Sequence, residues 1–101
     1  MRVSKQVSAD GKQLTIKVSG RFDFSLHEEF RKAYEDARQS GMHYVIDLGA
    51  TEYIDSAACG MLLVFRDAVG GDKAVITISG ASPAIKKTLQ LLQFQRLFDI
   101  A

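Results

Sequence analysis

The stretch whose residue types could do chemistry is Asp55-Ser56, followed by Ala57, Ala58, Cys59, Gly60 and Met61. A serine hydroxyl can act as a nucleophile or accept a phosphate from a kinase. Nucleophilic catalysis needs a base and an orienting group within reach. The two histidines, His27 and His43, fall in separate predicted elements, and Ser56 has no Gly-x-Ser-x-Gly context. Cys59, one helical turn beyond Ser56, reads as a small buried hydrophobe facing a sheet. No Cys-x-x-Cys or His-x-x-x-His spacing supports a metal site, and His27 reads as a surface residue in the first turn of a helix. No glycine-rich phosphate loop is present. Asp23 and Asp55 form a carboxylate pair by type, but the sequence alone does not bring them together. The expectation is a non-enzyme with no catalytic residue, metal or cofactor.

Phosphate acceptance survives this elimination. Asp55 or Ser56 would cap the helix that follows, which is the ordinary use of such residues. Ala57, Ala58 and Gly60 are small and keep the surface beside Ser56 low, so another protein can come close. A helix N-terminus carries free N–H groups and a partial positive charge, so it tolerates a phosphate. Such a phosphate adds nearly two negative charges at pH 7. Binding to a carboxylate-bearing or apolar partner surface would weaken through repulsion and desolvation. Gly60 has two readings, close helix-sheet packing or partner contact. A mid-helix glycine costs about 1 kcal/mol relative to alanine.

The elements that must position this stretch follow from pattern. Val3 to Val7 predicts an edge strand, and Asp10-Gly11 a tight hairpin turn. Leu14, Ile16 and Val18 alternate on one face of a second strand, which Gly20 would end. Ser25-Leu26-His27-Glu28 has the form of a capping box. Leu26, Phe30, Ala33, Tyr34 and Ala37 then recur at helical spacing, predicting a helix over about 26–39 with Gly41 as its stop. Tyr44 to Leu48 is nearly continuous and apolar, predicting a central strand covered on both faces. A loop or short extension fills Gly49 to Ile54. A second helix is predicted from about Ala57 to Val69, ending at Gly70-Gly71, then a strand over Lys73 to Ile78. Ser82-Pro83 opens a third helix, with Ile85, Leu89 and Leu92 on one face. Phe94, Leu97, Phe98 and Ile100 form an apolar tail, a short strand or helical turn. The order β-β-α-β-α-β-α predicts an α/β fold with parallel pairing and an antiparallel N-terminal hairpin.

Composition bounds the rest. The chain has 101 residues, 13 basic and 12 acidic, for a net charge of +1. This fits one domain over 1–101. The near-balance argues against nucleic acid or a membrane held by bulk charge, and Lys86-Lys87 reads as a solvated helix face. The single cysteine excludes an internal disulfide. With no apolar run after Met1-Arg2 and none long enough to span a bilayer, neither signal peptide nor membrane insertion is expected, and a cytoplasmic location is.

In order and spacing, these residues resemble a STAS domain, and among those the single-domain bacterial anti-sigma factor antagonists. Gly20-Arg21-Phe22-Asp23 is similar to the family's Gly-x-(Leu/Phe)-Asp segment. Tyr44 to Leu48 is similar to its central strand. Ile54 to Met61 is similar to its Asp-Ser-Ser-Gly-Leu-Gly signature, and Ser82-Pro83 to the start of its third helix. The resemblance implies a mixed sheet of four to five strands with an N-terminal hairpin and about three helices. It also implies partner switching: the unmodified protein binds a regulator, a serine kinase/anti-sigma factor, whose phosphorylation of the serine breaks the complex. A PP2C-type phosphatase resets it. The phosphoacceptor falls on Ser56, with Asp55 its acidic neighbour and Asp23 in the adjoining loop. Asp23, Asp55, Ser56, Ala57, Ala58 and Met61 are the expected partner-binding residues. The signature's second serine is Ala57 here, its first glycine Ala58 and its leucine Cys59. The added methyl of Ala58 is expected to narrow the choice of partner. The chain stops at Ala101, so the last helix of many relatives is expected to be reduced or missing. The alternative is a constitutive STAS interaction subunit of a transporter or signalling assembly, in which Ser56 is only a cap.

Overall fold

A computed structural model describes residues 2–36 and 41–101. Five strands form one sheet in the order β1-β2-β3-β4-β5. They are β1 Val3–Val7, β2 Gln13–Phe22, β3 His43–Ile54, β4 Val75–Ser79 and β5 Asp99–Ile100. β1 runs antiparallel to β2, and every later pairing is parallel. The helices are α1 His27–Glu35, α2 Ser56–Ala68 and α3 Pro83–Leu91, with short 3₁₀ turns at Phe24–Leu26, Gly71–Lys73 and Phe94–Arg96. The expected α/β fold with its hairpin is observed. The apolar tail supplies a 3₁₀ turn and the fifth strand, paired through Ile78 with Ile100.

The sheet buries one face. Leu14, Ile16 and Val18 on β2, Tyr44, Ile46 and Leu48 on β3, and Ile76 and Ile78 on β4 are buried. They share one core cluster with Phe30 and Tyr34 of α1, Cys59, Leu62 and Phe65 of α2, and Ile85 and Leu89 of α3. Phe65 packs edge-on against Phe30, Tyr34 and Tyr44. The intervening His43, Val45 and Asp47 are only half-buried. The expected cover on both faces of β3 is therefore corrected. Strands laid down in sequential order by crossovers of one hand put every helix on the same side. The other side keeps polar contacts such as His43 Nε2 to Thr77 Oγ1, 3.0 Å.

Several boundaries differ from expectation for local reasons. Gly20, at φ +78, does not end β2. The strand passes it through register shifts and continues to Phe22, because β3 also runs on and keeps pairing with it. Ser25 is not a capping-box residue. The Asp23 carboxylate caps the 3₁₀ turn, taking the Ser25 N–H at 3.0 Å and the Ser25 hydroxyl. Glu28 instead pairs with Arg31. The hairpin connection runs from Ser8 to Lys12, wider than a two-residue turn, and Asp10 accepts from the Ser8 hydroxyl and the Lys12 N–H. α1 ends at Glu35, and the expected helical face residue Ala37 lies outside the described residues. Leu92 follows the end of α3 and is 51% exposed rather than on its buried face. Among the described residues no helix is long and apolar enough to cross a membrane.

Candidate functional site

β2 and β3 end side by side. The parallel register that pairs Arg21 with Tyr53 and Phe22 with Ile54 delivers Asp23 and Asp55 to adjoining strand ends. The two acids that the sequence could not place together are thus brought to one edge. From there β2 turns into the 3₁₀ turn before α1, and β3 turns directly into α2.

Asp55 is the cap of α2. Its backbone is extended (φ −120, ψ −178), and its Oδ1 accepts the Ala58 N–H at 2.9 Å. Of the two caps the sequence allowed, Asp55 is the one used; Ser56 is the first helical residue, which corrects the alternative in which Ser56 is only a cap. Ser56 is exposed, and among the described residues no hydrogen bond engages its hydroxyl. The division of labour is testable. Asp55→Ala should cost about 1 kcal/mol of stability, whereas Ser56→Ala should change it by no more than about 0.5 kcal/mol. Thermal unfolding of the two variants checks both values.

The neighbouring small residues face different ways. Ala57 is half-buried, but Ala58 is fully buried, Cys59 is 5% exposed and Met61 is 7% exposed. The Ala58 methyl therefore faces the core and cannot act on the choice of partner by contact. The Cys59 thiol has its pKa pushed up by burial and by the nearby Asp55 charge, so it stays protonated and unreactive. A β-carbon placed on Gly60 would meet nothing within 4 Å, which removes close helix-sheet packing as the reason for a glycine there. Gly60 instead lines an apolar groove of about 350 Å³ between α1 and α2, with Phe24, His27, Ala57, Met61 and Val64 among its walls. His27 stacks on Phe24 in its wall, 5.0 Å between ring centres.

Sequence reasoning missed four exposed residues around this edge. Phe24 is 65% and Val64 62% exposed, large values for apolar side chains. Arg21 lies over the Tyr53 ring, 4.1 Å from its centre, and its Nε is 3.7 Å from the Asp23 carboxylate. The Asp23 pKa is held below the usual carboxylate value, first by the Ser25 hydroxyl and N–H, then by Arg21 and Arg2. Residues 21 and 53 share a face only through the strand register, so no spacing in the sequence exposes the pair.

Comparison with known proteins gives the family. Residues 5–99 match the family described as Mlab, STAS domain. The chain is 45% identical over 101 residues to the STAS-domain containing protein PA14_20770 of Pseudomonas aeruginosa (strain UCBPP-PA14), covering all of both chains. Among solved structures, it is similar to the anti-sigma factor antagonist SpoIIAA in its unphosphorylated form, with a TM-score of 0.74 at 16% identity over 98% of this chain and 86% of that one. SpoIIAA of Bacillus in its phosphorylated form gives a TM-score of 0.65 at 19% identity, over 98% and 90% of the two chains. An anti-sigma factor antagonist from Mycobacterium paratuberculosis gives 0.74 at 19% identity, over 97% and 84%. At these identities the structures show the fold. The family match and the full-length relative show more, and this chain belongs to the STAS domain family.

Proposed function

We propose that this protein is a partner-switching regulator of the anti-sigma factor antagonist kind, controlled by reversible phosphorylation of Ser56. Unphosphorylated, it binds a serine kinase/anti-sigma factor. The phosphate ends that binding, and a PP2C-type phosphatase restores it. The regulator works in the cytoplasm of a bacterium and has no catalytic activity of its own.

The observation that carries this reading is the separation of cap from acceptor. Asp55 supplies the hydrogen bond that α2 requires, which leaves the adjacent Ser56 hydroxyl exposed and uncommitted. Phosphorylation then costs the fold no bond. The docking face comprises Asp23, Asp55, Ser56 and Ala57 at the surface. Ala58 and Met61 lie beneath it as support, because their side chains are buried. The exposed Phe24 and Val64 extend the face along the groove. A fold relative solved in a phosphorylated form is in keeping with this reading.

The test is direct. Incubation with the cognate kinase and ATP should add one phosphate to the wild-type protein and none to Ser56→Ala, read by intact-protein mass spectrometry. Equal modification of the two would remove the proposal. A fold relative is a sulfate transporter family protein from Wolinella succinogenes, which favours a second reading, a fixed STAS subunit of a transporter or signalling assembly. Under that reading neither protein gains a phosphate.

A further inference from the structure

The position between Gly20 and Phe22 holds an arginine, and its contacts give it a job in the switch. The Arg21 guanidinium lies flat on Tyr53 and beside the Asp23 carboxylate. The strand register sets Arg21 opposite Tyr53, and Arg21 also meets Asp23, while Phe22 turns inward to the core. Arg21 is thus a cation held beside Asp23, on the strand end that adjoins the one leading into Asp55-Ser56. Arg2, the other cation near Asp23, is engaged by the Ser25 hydroxyl at 3.2 Å and by Glu29 at 3.6 Å. Arg21 has weaker ties. Its side chain is 65% exposed and its ion pair with Asp23, at 3.7 Å, is long. Ser56 follows Tyr53 by three residues, at most about 11 Å of extended chain.

We infer that Arg21 is a charge latch, resting on Tyr53 and Asp23 while Ser56 is free and swinging to the phosphate once Ser56 carries one. The inference rests on Ser56 being the phosphoacceptor. A phosphate takes the cluster of Arg21, Asp23 and Asp55 from one net negative charge to about three. A guanidinium prefers the doubly charged, three-oxygen phosphate to a single carboxylate at long range, because the fork can then make two parallel hydrogen bonds. Its departure uncovers the Tyr53 ring and leaves Asp23 without its arginine. The modification therefore changes the surface at three residues instead of one.

The experiment places phosphoserine at position 56 by genetic code expansion, so it does not depend on which kinase modifies the protein. In ³¹P NMR, the second ionisation of the phosphate, ordinarily near pH 6, should lie about half a pH unit lower in wild type than in Arg21→Gln, the scale of an exposed ion pair. Arg21→Lys, which keeps the charge but lacks the fork, should titrate between the two. In ¹H NMR, the upfield shift that the Tyr53 ring imposes on the Arg21 δ protons should be present in the unmodified protein and lost in the phosphoprotein. Equal phosphate titration in wild type and Arg21→Gln, a lysine variant that titrates with the glutamine variant, or a ring shift unchanged by phosphoserine would each overturn the latch. A kinase that leaves Ser56 unmodified is seen separately by mass spectrometry, so the two readings fail distinguishably.

Discussion

A glutamate at position 56 is expected to release the protein's partner at least tenfold while leaving the fold intact. The two halves of this result have different physical sources. The fold is untouched because the Ser56 hydroxyl has no hydrogen bond among the described residues and Asp55 already caps α2. An acid in the first turn of a helix is even mildly favourable, by about 0.3–1 kcal/mol. Binding suffers because a docking protein must desolvate the new charge beside Asp55 and near Asp23. An unpaired charge buried at an interface costs several kcal/mol, and each 1.4 kcal/mol is about tenfold in affinity. The measurement is affinity capture with wild type, Ser56→Ala and Ser56→Glu at equal loading, followed by quantitative mass spectrometry. Proteins kept by wild type and Ser56→Ala should be depleted from Ser56→Glu, while thermal unfolding of the three stays together. Equal retention by all three would sink the docking face.

The sequence made much of the fold legible, because its signals were local. Alternation marked the strands, Ser82-Pro83 marked α3, and the small residues after Asp55 marked the opening of α2. Its failures were failures of partnership. Gly20 looks like a strand terminator, and Gly49 to Ile54 reads as either loop or extension, yet Ser19 pairs with Ala50 and Gly20 with Thr51. The Thr51 hydroxyl donates to the Val18 carbonyl at 2.7 Å, holding the extension in place. Both Asp23 and Ser25 could cap the first turn, and only backbone geometry chose Asp23. The error over Ala58 was avoidable. Ala58, Leu62 and Phe65 recur at helical spacing and are all fully buried, so the core stripe of α2 could have been extended back to Ala58. The Arg21–Tyr53 pair had no such signal, since it exists only in the register between two strands.

Gly80→Ala is expected to cost about 2–5 kcal/mol and to lower Tm by about 10 °C or more. In the sequence Gly80 merely falls between the predicted strand over Lys73 to Ile78 and the helix opened by Ser82-Pro83. The structure shows why alanine cannot stand there. Gly80 has φ +74, and a β-carbon on it would lie 2.8 Å from the Gly49 nitrogen, 2.9 Å from the Gly49 Cα and 3.2 Å from Asp47 Oδ1. The left-handed backbone costs a side-chain-bearing residue roughly 1–2 kcal/mol. The clash adds about 1–3 kcal/mol, typical of overpacking, and it falls on backbone that cannot swing aside as a side chain would. Asp47 cannot yield freely, because its Oδ1 holds the Gly49 N–H at 2.8 Å. The effect should also travel. Gly49 lies where β3 leaves its pairing with β4 and continues beside β2 alone, and that continuation delivers Asp55-Ser56 to the surface. Relief of the clash by a shift of Gly49 would therefore move the start of α2. NMR of Gly80→Ala should show amide shifts at Gly49 and Asp47 and again at Asp55 to Ala58, with Gly11→Ala, another left-handed glycine but one whose β-carbon would meet nothing within 4 Å, as the control. The control should lose only the backbone component, about 1–2 kcal/mol. Equal losses at the two positions would show that the contact with Gly49 contributes nothing.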